Sequence, residues 1–165
     1  MEFTDIWQAH TCFRTHPWGW LEMGGNINYG HRIARYDLVM GRETSYGAWA
    51  EIRPLDRLYV NGSFSYIQSD DLDTGERLFS QSVFRSRVSF QFSRAFCARV
   101  ITQYNDRWDT WDIDPLLTYR VNSFSVFYLG SSHGYRDYRL DERGIEGWTL
   151  RDRQFFLKFQ YLFQL

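Results

Sequence analysis

"QFFLKFQYLFQL", residues 154 to 165, closes the chain with a large apolar side chain at every second position. Phe155, Leu157, Phe159, Tyr161, Phe163 and Leu165 form one series, and Phe156, Lys158, Gln160, Leu162 and Gln164 form the other. A period of two is a strand period, because successive side chains on a pleated strand leave opposite faces. One face is therefore apolar and the other mostly polar. Two environments satisfy that pattern. In a soluble sandwich the apolar face is core and the polar face is wet; in a transmembrane barrel the apolar face meets lipid and the polar face lines the interior.

The alternation recurs upstream. "RSRVSFQFSR", residues 85 to 94, sets Ser86, Val88, Phe90 and Phe92 against Arg85, Arg87, Ser89 and Gln91. "FCARVITQYN", residues 96 to 105, sets Phe96, Ala98, Val100, Thr102 and Tyr104 against Cys97, Arg99, Ile101, Gln103 and Asn105. In "WLEMGGNINYG", Leu21, Met23, Gly25, Ile27 and Tyr29 oppose Glu22, Gly24, Asn26 and Asn28. Further strands are expected over 5–15, 40–53, 57–68, 114–121 and 123–132, giving about nine in one domain spanning 1–165. Most match the roughly 9–11 residues that a tilted transmembrane strand needs.

Composition fits the membrane alternative. Aromatic residues make up 19% of the 165 positions while charged residues make up 24%, the combination of aromatic girdles with a polar interior. An aromatic-rich soluble β protein shares it. A formal net charge of -1 provides no basic field for nucleic acid. No apolar run approaches the roughly 20 residues of a membrane-spanning helix. The start, "MEFTDIWQAH", has neither a basic nor an apolar leader region, so an exported chain is expected to be a mature form or a piece of a longer one.

Connections carry a second signal. "RTHPWG" (14–19), "RPLDR" (53–57), "FSRAF" (92–96) and "RVNSF" (120–124) read as short turns. They alternate with longer polar stretches at 30–37, 69–77, 105–114 and 132–152. Short turns at one rim and long loops at the other are the habit of outer-membrane barrels, and a sandwich has no reason to segregate them. The expected fold is an all-β, antiparallel up-and-down transmembrane barrel of about 8–9 strands in this chain. An odd count leaves an open edge, which hydrocarbon does not tolerate. The chain would then be the C-terminal part of a larger barrel, one subunit of a multichain barrel, or an eight-stranded closure with residues 1–15 outside it.

The run "SRAFCARVITQYNDRWDTWDIDPLLTYRVNSFSVFYLGSSHGYRD", followed by "GWTLRDRQFFLKFQYLFQL", resembles the C-terminal end of an uncharacterised family of Gram-negative outer-membrane proteins. The pieces that carry the resemblance are "DPLLTYRVN", "FYLG" and "RQFFLKFQYLF". Larger members of that family place a domain similar to carbohydrate-binding family 9 before the barrel, and that domain has no counterpart here. The resemblance implies the bacterial outer membrane and a barrel larger than this chain, and no established activity. The terminus also resembles the signal read by the barrel assembly machinery: Lys158, Phe163 and Leu165 fit it, whereas Gln160 stands where Gly is usual and Leu165 is not aromatic.

Function is expected from the polar face or from the loops. Glu22, Glu43 and Glu51 come from early strands, and Arg85, Arg87, Arg99, Arg120 and Lys158 from later ones. An acidic wall facing a basic wall would set a transverse field across a water-filled pore, the mark of a channel or transport component. In a small closed barrel the same charges would pair and fill the interior. Trp108, Trp111, Tyr135 and Tyr138 are candidate loop contacts for a surface ligand, the alternative function of a structural or surface-binding barrel. Placement of Trp108, Trp111 and Tyr135 in the outer aromatic girdle is the preferred reading. A soluble β-sandwich binding module is the remaining alternative.

Catalysis is not expected. The four histidines have no metal-ligand spacing, "SDDLDTGE" reads as a solvated loop turning at Thr74 and Gly75, and no nucleophile motif occurs. His133 with Asp137 imitates part of a barrel-rim hydrolase site but lacks a convincing nucleophile. No metal or cofactor is expected. Cys12 and Cys97 lie on strands far apart in order, so no disulfide is expected. The expected partners are outer-membrane lipid, the assembly machinery and further strands from a longer chain or other subunits.

Overall fold

The computed structural model describes residues 6–34, 39–138 and 147–163. Nine strands follow one another: β1 (Gln8–Trp18), β2 (Leu21–Ala34), β3 (Val39–Leu55), β4 (Leu58–Asp71), β5 (Arg77–Gln91), β6 (Phe96–Asn105), β7 (Thr110–Arg120), β8 (Ser125–Tyr138) and β9 (Gly147–Tyr161). They form one antiparallel sheet in the order β1 to β9, each strand beside its sequence neighbours. The fold is all-β and up-and-down, as the period-two pattern predicts. β1 is bonded to β2 alone and β9 to β8 alone, so the sheet is open with two free edges. Residues Gln8 to Thr15 and Trp18 pair with β2, with an irregularity between Thr15 and Trp18, so residues 8–15 belong to the sheet rather than outside it.

The strands exceed the expected ones, mostly at one end. β6 continues to Asn105 and β7 begins at Thr110, because Asn105 pairs with Thr110 and Tyr104 with Trp111. The expected loop 105–114 therefore shrinks to a four-residue turn, 106–109. Likewise β8 runs to Tyr138 and β9 starts at Gly147, which takes both flanks of the expected loop 132–152 into a ladder. The contrast in loop length is correspondingly weaker: connections of two to four residues alternate with connections of four to eight. The physical cause is that hairpins projecting beyond an apolar band are polar on both faces, and polarity on both faces reads as loop.

Direct cross-strand partners share a face, so the ladders carry the face of β9 across the sheet. Phe159 faces Phe127, Phe127 faces Tyr119, Tyr119 faces Phe96. One face so defined holds Phe13, Ile27, Tyr46, Phe64, Phe84, Val88, Val100, Leu117, Leu129, Phe155 and Leu157, all exposed. Charged side chains on this face, Arg42, Asp70, Arg77, Asp137 and Arg153, sit toward the long-connection ends. Among the described hydrophobic residues only Leu21, at 9% exposure, is buried. A single sheet supplies no second layer, so the described residues form no sandwich core. The apolar face is left for something outside the sheet to cover.

Two turns show how local sequence sets the hairpins. At the end of β4, outside the apolar band, Asp71 Oδ1 accepts the backbone N–H groups of Asp73 at 2.8 Å and Thr74 at 2.9 Å. Those donors hold the Asp71 carboxyl below the usual carboxylate range. Gly75 follows with φ of 72°, a conformation that suits glycine. This is the turn expected at Thr74 and Gly75. Farther into the sheet Gly24 permits close packing: a Cβ there would stand 2.7 Å from the Phe13 carbonyl and 2.9 Å from the Trp49 ring.

Candidate functional site

The face opposite the apolar one is the candidate site. Glu22, Glu43, Glu51, Arg85, Arg87, Arg99, Arg120 and Lys158 all fall on it, because the ladders put each in phase with Lys158, through Tyr128, Thr118 and Cys97 to β5 and onward. Eight residues from six strands thus share one surface. Alternation within each strand was legible; agreement between strands depends on register.

Register also alters the electrostatics. Glu22 is engaged by Arg14, which lies within direct ion-pair contact, and by His16 Nε2 at 3.0 Å. Arg32 Nη1 lies 2.8 Å from Glu43 Oε1, and Arg53 Nη2 lies 3.9 Å from Glu51 Oε2. Each acidic residue of β2 and β3 is therefore matched by a base nearby, and no unopposed acidic wall stands across from the arginines. Asp112, Asp114 and Asp152, which the sequence reading placed in loops or left out, also lie on this face, toward the long connections. Arg151 reaches Asp152 at 2.5 Å and Asp112 at 3.2 Å, while the Ser132 hydroxyl donates to Asp114. The signal that would have found them is the continued alternation Asp112, Asp114, Leu116, Thr118 through β7.

Arg85, Arg87, Arg99, Arg120 and Lys158 have no carboxylate within ion-pair distance among the described residues. Lys158 Nζ lies 5.8 Å from the centre of the Tyr128 ring directly opposite. The Arg99 Nε is buried and has no hydrogen-bond partner.

The loop candidates are not gathered. Trp111 and Tyr135 face each other on the apolar side of β7 and β8, where the Tyr104 ring lies tilted 5.2 Å from that of Trp111. Tyr138 lies on the polar side, 5.5 Å from Arg136, and Trp108 sits in the 106–109 turn, 5.6 Å from Arg107. Of the terminal residues, Lys158 and Gln160 share the polar face, Phe163 is 80% exposed, and Leu165 lies outside the described residues.

One pair was missed by sequence. Ser131 Oγ lies 3.0 Å from His133 Nε2 on the apolar face. The other ring nitrogen, Nδ1, is buried without a hydrogen-bond partner, so no carboxylate orients the imidazole, and Asp137 does not serve it. Neither a hydrolytic triad nor, among the described residues, a group of three or more metal-ligating side chains is assembled. Cys12 and Cys97 are both free.

Comparison with protein-family models, curated sequences and solved structures finds no match to this chain.

Proposed function

We propose that this chain is part of the wall of an outer-membrane β-barrel, with its apolar face in lipid and its polar face lining an aqueous interior, and that it serves as a channel or transport component. The observation that carries the reading is a pair of aromatic rungs in register. On the apolar face Tyr104, Trp111 and Tyr135 align across β6, β7 and β8, and Phe96, Tyr119, Phe127 and Phe159 align across β6 to β9. Eight residues separate the rungs within β6 and β7, which at about 3.3 Å per residue is roughly 26 Å along the strand. Between them stand Thr102, Val100, Ala98, Ile113, Pro115 and Leu117. Counted with the rungs, each stretch is nine residues, the length of a tilted transmembrane strand, and aromatic girdles flanking an apolar band are the habit of membrane barrels.

The free edges of β1 and β9 support a wall rather than a whole barrel, since lipid cannot satisfy an unpaired ladder. Strands one and nine of a meander run in the same direction. An all-antiparallel closure therefore takes an odd number of further strands between them, whether from a longer chain or another subunit. The surface-binding alternative loses support because Trp111 and Tyr135 belong to the upper rung instead of a shared loop surface.

The test is reconstitution of the full chain with lipid vesicles, followed by planar-bilayer recording. The membrane reading predicts insertion with strand-rich circular dichroism, and the channel reading predicts stepwise conductance. A chain that stays folded and soluble without detergent contradicts the first, and inserted protein with no conductance contradicts the second.

A further inference from the structure

Over β5 to β9 the charges of the polar face divide by height, whereas Glu22 and Glu51 of β2 and β3 lie near the short turns beside Arg14, His16 and Arg53. From Arg77 to Asn105, from Pro115 to Arg136 and from Arg153 to Leu165 the sequence contains no Asp or Glu. In β5 to β9 the acids Asp112, Asp114 and Asp152 lie toward the long connections and are held by Arg151 and Ser132. The half nearer the short turns carries Arg87, Arg99, Arg120 and Lys158, on four strands, with no carboxylate among them.

Arg87 and Arg99 form the centre. Arg99 pairs with Ser89, and Arg87 lies two residues before Ser89 on the same face of β5, so the two arginines are diagonal neighbours across the ladder. Diagonal neighbours stand about 7–8 Å apart at the backbone, a gap that two guanidiniums close around one ligand. Two like charges so placed repel unless water, salt or an anion lies between them. The buried Nε of Arg99 has no hydrogen-bond partner among the described residues, and buried donors are almost always satisfied. A cavity of about 600 Å³ on the same face is lined by Arg53, Arg57, Tyr59, Gln91, Cys97 and Ser89; Arg87 and Arg99 do not line it, and Ser89, the cross-strand partner of Arg99, joins it to the pair. Asp56 is the acid at its rim, and Arg53 is shared with Glu51. Arg85, one step toward the long connections, lines instead a cavity with Asp112, Asp114 and Asp152 and stands outside the patch.

We infer that the short-turn half of the polar face over β5 to β9, centred on Arg87 and Arg99, is a binding patch for a small oxyanion, a phosphate- or carboxylate-bearing solute held by paired guanidiniums. Arginine suits this task because its planar fork donates two parallel hydrogen bonds to such groups. The inference rests on the channel reading for its biological use, and there it makes the pathway select anions.

Inorganic pyrophosphate serves as the probe, measured by equilibrium dialysis against the full chain folded in detergent micelles. Saturable binding is expected, weakened about tenfold or more by Arg87→Gln and by Arg99→Gln, the scale of a charge-assisted hydrogen bond. Arg99→Lys recovers part of the loss, and Arg32→Gln, whose arginine is already matched by Glu43, leaves binding unchanged. Circular dichroism of each variant establishes that it keeps its strands. Absence of pyrophosphate binding, or equal binding by all variants, overturns the inference. Reversal potentials in a potassium chloride gradient separate it from the channel reading: chloride preference supports it, potassium preference overturns it while conductance stands, and binding without conductance supports the patch while the pore fails.

Discussion

Leu129 lies directly opposite Leu157 in the β8–β9 ladder, and the two are 53% and 73% exposed. A pair of leucines aligned across a ladder buries well only if a third surface lies over it. Among the described residues nothing supplies that surface. Leu157→Arg is therefore predicted to destabilise the inserted protein by about 2–4 kcal/mol, the scale for a cation at mid-bilayer depth. Gln154→Arg, three positions earlier and on the polar face, is predicted to have little effect. Denaturant unfolding of both variants in lipid vesicles checks the pair, and equal tolerance of both would contradict the assignment of faces.

Gly24 is packed from two sides, by the Phe13 carbonyl and the Trp49 ring, with Arg14 stacked 5.4 Å from the centre of that ring. Gly24→Val is predicted to cost about 1–3 kcal/mol through overpacking. The unfolding midpoint reports it; combining Gly24→Val with Trp49→Leu should recover part of the loss, since the smaller side chain makes room.

Glu43→Gln removes the partner of Arg32, whose side chain is 58% exposed. An ion pair open to water on one side contributes little, so the change is predicted to stay below about 1 kcal/mol. A double-mutant cycle with Arg32→Gln measures the coupling, and a larger value would mean that this part of the polar face is dry.

Trp111→Ala and Trp108→Ala separate girdle from loop. Trp111 belongs to the rung it forms with Tyr104 and Tyr135, its ring tilted against that of Tyr104, so its loss is predicted to lower stability in the membrane by about 1–3 kcal/mol. Trp108 is 51% exposed in the turn, so its loss should be near neutral. The reverse order would return these residues to a surface-binding role.

Nine strands and their facing phases were legible because alternation is a local property: Phe155, Leu157 and Phe159 announce their face within five residues. The strand ends were not, since the segment from Thr110 to Asp114 is half acidic or hydroxyl-bearing and looks like a loop until Tyr104 is paired with Trp111. Electrostatic partners were also hidden. Arg14 neutralises Glu22 only because register brings β1 alongside β2, and a list of charges by strand cannot show which acids are already matched. The open edges follow from an odd strand count, which was countable, but the count alone did not say that Gln8 to Thr15 pair with β2.

The most direct test of the account is a spin-label scan of β9 in lipid, with Cys12 and Cys97 first changed to Ser and single cysteines then placed from 154 to 161. The account predicts collision with dissolved oxygen peaking at Phe155, Leu157, Phe159 and Tyr161, and collision with a water-soluble nickel complex peaking at Gln154, Phe156, Lys158 and Gln160. The opposite phase, or both series equally open to the nickel complex, would contradict it.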